Sequence, residues 1–297
     1  MTGRSYLSTT VPTTGCPGGY NTNPCVEYPH HAFLYGNGTM SDLGTLGDID
    51  SEGRAINLAG TVAGWANTKS GARDAFVEPN GKKMVDLGAL APLAGWESTA
   101  TGINDVGEVA GWFGFDPGSH AFLYSAGKVT VLPDLSSYDG GQSTPGGIND
   151  NHQVVGSSDD ANGDSHAVLW SNGKVTDLGT LGGPSSAATA INNLGQIVGW
   201  AATSTGTAYF VDSNGAMTNI GNYNGDNPEA IDDSGVFVGS SAFIYSGGTF
   251  RNLNNLIPAG SGYQLEDATA IDDKGQIVVN AYDTVTHQNR ALLLNPS

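Results

Sequence analysis

The sequence of 297 residues is poor in positive charge: 11 Lys and Arg stand against 29 Asp and Glu, which gives a net charge of −18. A field of this sign repels phosphate backbones and anionic lipid headgroups, so nucleic acid and membrane surfaces are poor candidates as partners. No run approaches the roughly 18 consecutive apolar residues that a membrane-spanning helix needs. The first residues, MTGRSYLSTT, also lack the apolar centre of a signal peptide. These absences predict a protein that does not insert into a membrane.

Charged residues of both signs are scarce, at 13% of the chain. Disordered chains and coiled coils need far more charge, so a globular fold is expected. Cysteine occurs only at Cys16 and Cys25, in a stretch rich in Pro, Gly, Asn and Thr. Two cysteines are too few for a four-thiolate metal site, and their spacing favours a disulfide that closes a small loop over two free thiols. A disulfide in turn predicts an extracellular or periplasmic location.

Internal repetition dominates the rest of the sequence, and it is most visible in an Ile-Asn or Ile-Asp pair. The Asn or Asp of this pair recurs at intervals of 47, 45, 43, 40 and 40 residues. The six positions are Asn57, Asn104, Asn149, Asn192, Asp232 and Asp272. We therefore predict an N-terminal extension over residues 1–30, which contains the cysteine loop, and a single domain of six repeats over residues 31–297.

Each repeat contains four apolar runs that are separated by turn residues and are too short for helices. In the most regular copy they are ATAIN (strand A), QIVGW (strand B), HAVLW (strand C) and KVTDLG (strand D). Asn or Asp followed three residues later by Gly joins A to B, and Asn-Gly or an equivalent joins C to D, so both connections are tight hairpins. Four consecutive strands in a unit of this size are typical of one blade of a β-propeller. The alternative, a parallel β-helix, has a shorter period and no hairpin turns.

Small residues in strand A favour the propeller, because its innermost strands converge where bulky side chains do not fit. They are Ala55, Gly102, Gly147, Ala190, Ala230 and Ala270. The chain starts with strands C and D and ends with strands A, B and C, so that strand C occurs seven times and the other types six times. We predict an all-β, six-bladed β-propeller of four-stranded antiparallel blades, closed by pairing N-terminal and C-terminal strands, with one strand C in excess.

The stretches HAFLY, DLGTLG, A-x-x-I-N and GQIVGW resemble the signature of the HAF family of probable extracellular repeats over about residues 31–297. The fourth repeat matches closely, whereas the fifth, AYFVDSNGAMTNIG, lacks the His and the complete DLGTLG. The resemblance implies an exported bacterial protein and assigns no activity. It supports the predicted fold and location and leaves the chemistry open.

The connections from B to C and from D to A vary in length and content, and in an up-and-down blade both emerge at one end, here termed the variable end. Recognition is expected on variable loops that a rigid scaffold displays. Strand B ends in a tryptophan in three repeats, and a fourth tryptophan lies in a D to A loop. These residues are Trp65, Trp112, Trp200 and, in the loop, Trp96. Flat indole faces suit sugar rings, and packing between blades is the alternative for the three repeated positions.

Acidic side chains also gather where the chain enters strand A, with Arg54 among them. They are Glu52, Glu97, Asp226, Glu229, Glu266 and Asp267. Converging carboxylates can bind a cation, hold sugar hydroxyls or act as an acid and base pair, and a solvated rim is the alternative.

Two further loops resemble oxygen-rich calcium loops, although neither has the bidentate Glu of an EF-hand. Their ligands would be Asp48 and Asp50 in one loop, and Asp160, Asn162 and Asp164 in the other. Calcium is therefore the only cofactor that the sequence suggests, as a site looser than an EF-hand.

Three functions fit these features. The first is a secreted binding module that recognises a glycan or other extracellular polymer through the variable end, with Trp65, Trp96, Trp112, Trp200, Arg54 and Asp226 as binding residues. The second is a propeller-fold glycoside hydrolase or polysaccharide lyase that uses Glu52, Glu97, Glu229, Glu266 and Asp267. The third is a structural adhesion repeat. The motifs of nucleotide enzymes, serine hydrolases and zinc peptidases are absent from the sequence, which favours binding over catalysis.

Overall fold

The structure, a computed structural model, describes residues 2–6, 11–13, 25–27, 29–36, 38–114, 118–136, 141–222 and 226–296. Its fold is the all-β propeller architecture of antiparallel blades that the repeats predict; in the described residues five blades have four strands and the two terminal sheets have three. Helix in these residues is confined to two single turns of 3₁₀ helix, Ser240–Ala242 and Leu253–Asn255. Neither turn has the length or the apolar content that crossing a membrane requires.

The chain divides into two compact units, which are Met1–Asp116 with Phe122–Val131, and Pro117–Ala121 with Leu132–Ser297. Unit 1 begins with β1 (Thr2–Tyr6), β2 (Val11–Thr13), β3 (Cys25–Glu27), β4 (His30–Gly36) and β5 (Thr39–Gly44). Its first complete blade pairs β6 (Gly47–Ile56), β7 (Val62–Thr68), β8 (Arg73–Glu78) and β9 (Val85–Asp86) in that order. The second blade pairs β10 (Ser98–Ile103), β11 (Val109–Phe113), β12 (His120–Ser125) and β13 (Lys128–Val131).

Unit 2 continues the same order of strands A, B, C and D. The third blade has β14 (Ser143–Ile148), β15 (Val154–Asp159), β16 (Ser165–Ser171) and β17 (Lys174–Gly179). The fourth has β18 (Gly182–Ile191), β19 (Ile197–Thr203), β20 (Gly206–Asp212) and β21 (Met217–Gly221). The fifth has β22 (Pro228–Ile231), β23 (Phe237–Gly239), β24 (Phe243–Ser246) and β25 (Thr249–Asn252). The last sheet has β26 (Tyr263–Ile271), β27 (Ile277–Asp283) and β28 (Gln288–Leu294).

The structure corrects the predicted sharing of one blade by N-terminal and C-terminal strands. The described terminal strands form two three-stranded sheets, in the orders β1-β4-β5 and β26-β27-β28. β1 pairs with β4 from Thr2 opposite Leu34 to Tyr6 opposite His30, which places β1 where a strand B would lie. β28 pairs with β27 as its strand C. β4 and β27 are thus paired with strands of their own sheets, β1 and β28, and no blade contains strands from both ends of the chain among the described residues.

The N-terminal extension is described only in part. Cys25 begins β3, but Cys16 lies outside the described residues, so the predicted disulfide stays a prediction. The predicted boundary between an extension over residues 1–30 and a single domain over residues 31–297 stays a prediction too.

Consecutive blades within a unit bury their apolar side chains against each other, with the A strands in close contact. A Cβ added at Gly147 of β14 would lie 3.1 Å from the Cα atom of Ala190 in β18, so there is little space for a side chain at this small position of strand A. The core between these two blades joins Val155 with Ile191 and Phe210, and the last two residues are 8% and 0% exposed. The Ile that precedes the repeated Asn is therefore a core residue between blades.

The repeated Asn ties one blade to the next at the A to B turn. Asn192 Oδ1 accepts a backbone N–H of its own turn at 2.8 Å, and its Nδ2 donates to the carbonyl oxygen of Asp232 in the next blade at 2.8 Å. Asn149 donates in the same way to Asn192 at 2.9 Å, and in unit 1 Asn57 donates to Asn104 at 3.1 Å. Because Asn192 is only 4% exposed, its amide satisfies a carbonyl group that little water could reach.

A buried serine six residues before the Asn makes a second tie, near the variable end. Ser186 Oγ accepts the N–H of Ala167 in the preceding blade at 2.8 Å and donates to the carbonyl oxygen of Gly179 at 2.6 Å. The same bond from an Ala N–H to a Ser Oγ joins Ala32 to Ser51, Ala75 to Ser98 and Ala121 to Ser143. The role of these serines was not predicted from the sequence, although each lies six residues before the repeated Asn and this constant spacing indicates a repeated structural position.

Asn192→Asp tests the tie at the A to B turn, because it keeps the acceptor that closes the turn and removes the donor to Asp232. We expect the free energy of unfolding to fall by about 1–3 kcal/mol, since the carbonyl group of Asp232 loses its partner. Urea unfolding at neutral pH, followed by circular dichroism, measures the change. Asn172→Asp is the control: this residue lies exposed in a C to D turn, and we expect a change within about 0.5 kcal/mol. Equal effects of the two substitutions would contradict the tie.

Candidate functional site

Charged side chains of both signs meet at the variable end of the first complete blade. β6 supplies Glu52 and Arg54, whose Oε1 and Nε atoms lie 3.3 Å apart. Arg73 at the start of β8 interacts electrostatically with both of them and with Glu97, which directly precedes β10. The set is termed the Arg73 cluster and comprises Glu52, Arg54, Arg73, Asp74, Asp86 and Glu97. It contains two of the 11 cations of the chain, so opposite charges are concentrated here.

Trp65 packs against this cluster and is almost completely buried. The Cζ atom of Arg73 stands 3.9 Å from the centroid of the Trp65 ring, and the ring of His30 meets the indole edge-on at 6.0 Å between centroids. Only 6% of Trp65 is exposed. A guanidinium over an indole is a favourable cation–π contact, and it covers the face that a sugar ring would need. The structure therefore gives Trp65 the packing role, one of the two alternatives for the repeated tryptophans.

Trp112 and Trp200, the other two repeated tryptophans, are half-buried within their strands. Trp200 packs against a core that includes Tyr209 and Phe237. Its surroundings are thus those of an architectural residue, and the repeated position does not display three equivalent indoles for a ligand.

Trp96 differs from these three residues, because 48% of it is exposed. The loop that carries it is anchored, because Leu87 and Leu93 are fully buried. The backbone N–H of Trp96 also donates to the carbonyl oxygen of Leu93 at 3.0 Å. Glu97 follows at once and belongs to the Arg73 cluster. About half of an indole side chain is therefore exposed on an anchored loop beside charged groups.

Asp74 stands where three other copies of strand C begin with His, at His31, His120 and His166. In the third blade His166 Nδ1 lies 2.9 Å from a carboxylate oxygen of Asp177 on strand D. In the first complete blade the corresponding positions hold Asp74 and Asp86, whose carboxyl groups interact electrostatically. Desolvation raises the pKa of Asp74 to about 6, and the neighbouring carboxylates of Asp86 and Glu97 add to the rise.

Unit 2 has a second group of acidic side chains at its variable end. Glu229 Oε1 accepts a hydrogen bond from Ser240 Oγ at 3.2 Å, and Asp267 Oδ1 accepts the N–H of Ser241 at 3.3 Å. Ser241 has φ 55°, a left-handed conformation that is uncommon outside glycine. Desolvation raises the pKa of Glu229, and the charge of Asp267 adds to the rise. A carboxyl group with a raised pKa beside a second carboxyl group is suited to acid–base chemistry.

Asp226 and Glu266 occupy the sequence position of the buried serines, six residues before the Asp of their repeats. The Oδ2 atom of Asp226 is buried without a hydrogen-bond partner in the described part of the chain. In β26 the register shifts between Leu265 and Asp267, so Leu265 takes the buried place and Glu266 is exposed. The bulge separates Glu266 from the predicted acidic group, whereas Asp267 remains close to Glu229.

Carboxylates of the two predicted calcium loops already have partners, within the loop for Asp160 and on β4 for Asp50. Asp160 Oδ1 accepts the N–H of Asp164 at 2.9 Å and that of Asn162 at 2.8 Å, and these bonds lower the pKa of Asp160. In the other loop Asp50 Oδ1 lies 3.1 Å from His30 Nδ1, and Asp48 is exposed. Across the described ranges, no group of three or more His, Cys, Asp or Glu is arranged to hold a metal ion. The geometry gives the calcium hypothesis no support.

Comparison with known proteins bears on the fold. No family model and no curated protein matches the sequence. The β-propeller domain of the Trilobed protease from Pyrococcus furiosus, described as having an open velcro topology, is similar at a TM-score of 0.55 and 9% identity, over 90% of this chain and 85% of that one. TolB from Acinetobacter baumannii aligns over 90% of this chain at 11% identity and a TM-score of 0.49, and the chain spans only 60% of the length of TolB. At such identities the likeness shows a shared fold alone, that of a β-propeller.

Arg73→Ala tests the contact that covers Trp65. We expect the free energy of unfolding to fall by about 0.5–2 kcal/mol, because the cation–π contact and the packing of the guanidinium over the indole are lost. The free energy of unfolding of Arg73→Lys should lie between those of the native chain and Arg73→Ala, since an ammonium keeps the charge but not the planar stacking. Chemical denaturation at neutral pH measures all three proteins. Arg251→Ala is the control, because Arg251 is exposed on β25, and an effect as large there would contradict the assignment.

Proposed function

We propose that this protein is a secreted binding module for a glycan or other extracellular polymer, and that Trp96 with the Arg73 cluster forms its binding surface. The exposed indole of Trp96 carries the proposal, because it lies on an anchored loop instead of packing between blades. Large aromatic rings that remain exposed on an ordered scaffold are typical of binding surfaces. A propeller fold is consistent with a binding or structural module.

The chemistry around Trp96 suits a polyhydroxylated ligand. The indole offers a flat apolar face to the C–H face of a sugar ring, and the carboxylates of Glu97 and Glu52 accept hydrogen bonds from hydroxyl groups. Arg54, whose side chain is 41% exposed, supplies donors beside them. Apolar contact with a few convergent polar groups is the usual composition of a small-molecule site. Because both signs of charge are present, the surface favours hydroxyl groups over a strongly charged ligand.

An extracellular or periplasmic location is part of the proposal. It is supported by the resemblance of the repeats to the HAF signature and by the two cysteines of the N-terminal extension, whose spacing suits a disulfide. The membership of the HAF family is likewise an inference from the repeated motifs.

A glycan array probed with the full chain tests the proposed binding. We expect saturable binding to a subset of glycans, and Trp96→Ala should weaken it by about tenfold or more, because the stacking face is lost. Leu194→Ala is the control: Leu194 is 70% exposed but lies in an A to B turn, at the other end of its blade. Absence of binding to any glycan or extracellular polymer, or equal binding by Trp96→Ala, would contradict the proposal. Repeating the array with a chelator tests calcium separately.

A second candidate function is hydrolysis or elimination on a polysaccharide, favoured by the raised pKa of Glu229 beside Asp267. In this case Glu229 acts as the general acid. Glu229→Gln should lower the release of reducing ends or unsaturated products about 100-fold or more while the substrate is still bound. Glu266→Gln is the matched control, because this exposed neighbour is held away by the bulge. Equal activity of Glu229→Gln and the native chain would exclude the role.

A further inference from the structure

A side-chain pair links strand C to strand D at the same register position in two sheets. These His–Asp pairs are His31 with Asp42 at 2.8 Å and His166 with Asp177 at 2.9 Å. His120 in the second blade instead pairs at 3.0 Å with Asp134, which lies beyond the end of β13. In the first complete blade Asp74 and Asp86 take these places, because Phe76 lies opposite Asp86 in the register that sets Val168 opposite Asp177. This blade therefore replaces an imidazole by a carboxyl group at a position that joins two strands.

The replacement makes the link dependent on a proton. An imidazole has an N–H to donate to a carboxylate whether it is neutral or charged, so a His–Asp pair keeps its hydrogen bond over a wide pH range. Two carboxyl groups have a donor only while one of them is protonated. The carboxyl group of Asp74 lies over Gly88, two residues after Asp86, since a Cβ added at Gly88 would lie 2.3 Å from Asp74 Cγ. Loss of the proton therefore leaves two negative charges side by side.

Asp86 also anchors the loop that carries Trp96. Its Oδ1 accepts the N–H of Ala89 at 3.0 Å, and from there successive backbone hydrogen bonds join Leu87, Leu90, Leu93 and Trp96. β9 is only two residues long, so the ladder itself holds the start of this loop weakly. The interaction between the two carboxyl groups thus adds to the buried side chains of Leu87 and Leu93, and to the bond from the Leu87 N–H to the carbonyl oxygen of Ala75, in fixing residues 87–97.

We propose that Asp74 and Asp86 form a proton-operated clamp that orders the loop over residues 87–97 in mildly acidic solution and loosens it at neutral and higher pH. The clamp rests on the proposed function in one respect only: binding through Trp96 would be strongest when the loop is ordered. Glu97 at the end of the loop adds negative charge to the pair. Arg73 on the same strand interacts with Glu97 and with the charged residues of β6, Glu52 and Arg54.

The direction of the effect follows from the pKa of Asp74. It is about 6 in the folded chain, whereas an unfolded Asp titrates near about 3.9. The contribution of the clamp to stability is therefore complete below about pH 4 and is lost as the pH rises through about 6. The full shift in the pKa of Asp74 corresponds to a change of up to about 100-fold in the equilibrium constant for opening of the loop. Because Asp74 is only half-buried, we expect this constant to change by about tenfold.

Hydrogen exchange of the full chain at about pH 5 and about pH 7.5, corrected for the intrinsic rates, measures the clamp directly. We expect the protection of residues 87–97 to be about tenfold lower at the higher pH. Asp74→Asn supplies a donor at every pH, so its loop should be equally protected in both conditions. Asp74→His recreates the pair of the other sheets and should behave in the same way. The segment after Asp177 in the third blade is the internal control and should show no such fall.

Equal protection of residues 87–97 in the native chain at the two pH values would overturn the proposal. A pH-dependent loss that persists in Asp74→Asn and Asp74→His would also overturn it, because a group other than Asp74 would then be responsible. The measurement uses no ligand. Failure to bind any glycan would therefore contradict the proposed function without affecting the clamp. A hydrogen-exchange result that contradicts the clamp would in turn leave the proposed glycan binding untouched.

Discussion

Hydrogen bonds from the side chains of one blade to the backbone of the next hold this repeat architecture together. A four-stranded sheet buries its apolar faces only against its neighbours, so consecutive blades must fit closely. Close packing of the A strands buries backbone groups at the junctions, and these groups need partners. Asn192 and Ser186, spaced six residues apart, supply them at the end and in the middle of the same strand. The recurrence of Asn and Ser through the first four repeats thus follows from how these blades are joined.

The contrast between uniform junctions and variable ends explains why the candidate sites lie where the sequence departs from the repeat pattern. The tight turns and the A strands carry the ties and are nearly uniform, whereas the variable ends differ from blade to blade. The first complete blade departs from the pattern twice: Asp74 stands in the place of His, and Trp96 lies on a loop outside the repeated positions. Departures from a locally consistent pattern are where function is expected, because they have no structural benefit of their own.

Much of the fold could be predicted because each repeat contains the same pattern of strands and turns. The turn chemistry, the small residues of strand A and the core role of the Ile before each Asn recur often enough to be read from one sequence. The pairing of β1 with β4 could not be predicted, because β1 lies outside the repeats and has no signature.

The candidate site was harder to predict because it depends on contacts that occur once. Trp65 shares its repeated position with two other tryptophans, but it is covered by Arg73, which has no repeated counterpart. Glu266 has the spacing of a rim carboxylate, and a bulge invisible in the sequence moves it aside. The exposed Trp96 was the exception, because its position off the repeat pattern already distinguished it from an architectural residue.

The account depends most directly on the buried bonds from Ala N–H groups to serine hydroxyls of the next blade. Amide hydrogen exchange measured by NMR at Ala75, Ala121 and Ala167 reports on these bonds one by one. The account predicts exchange as slow as that of the amides paired between strands within the same blades. Exchange at these three alanines as fast as at the exposed hairpin glycines Gly81 and Gly173 would show that consecutive blades are not joined in this way.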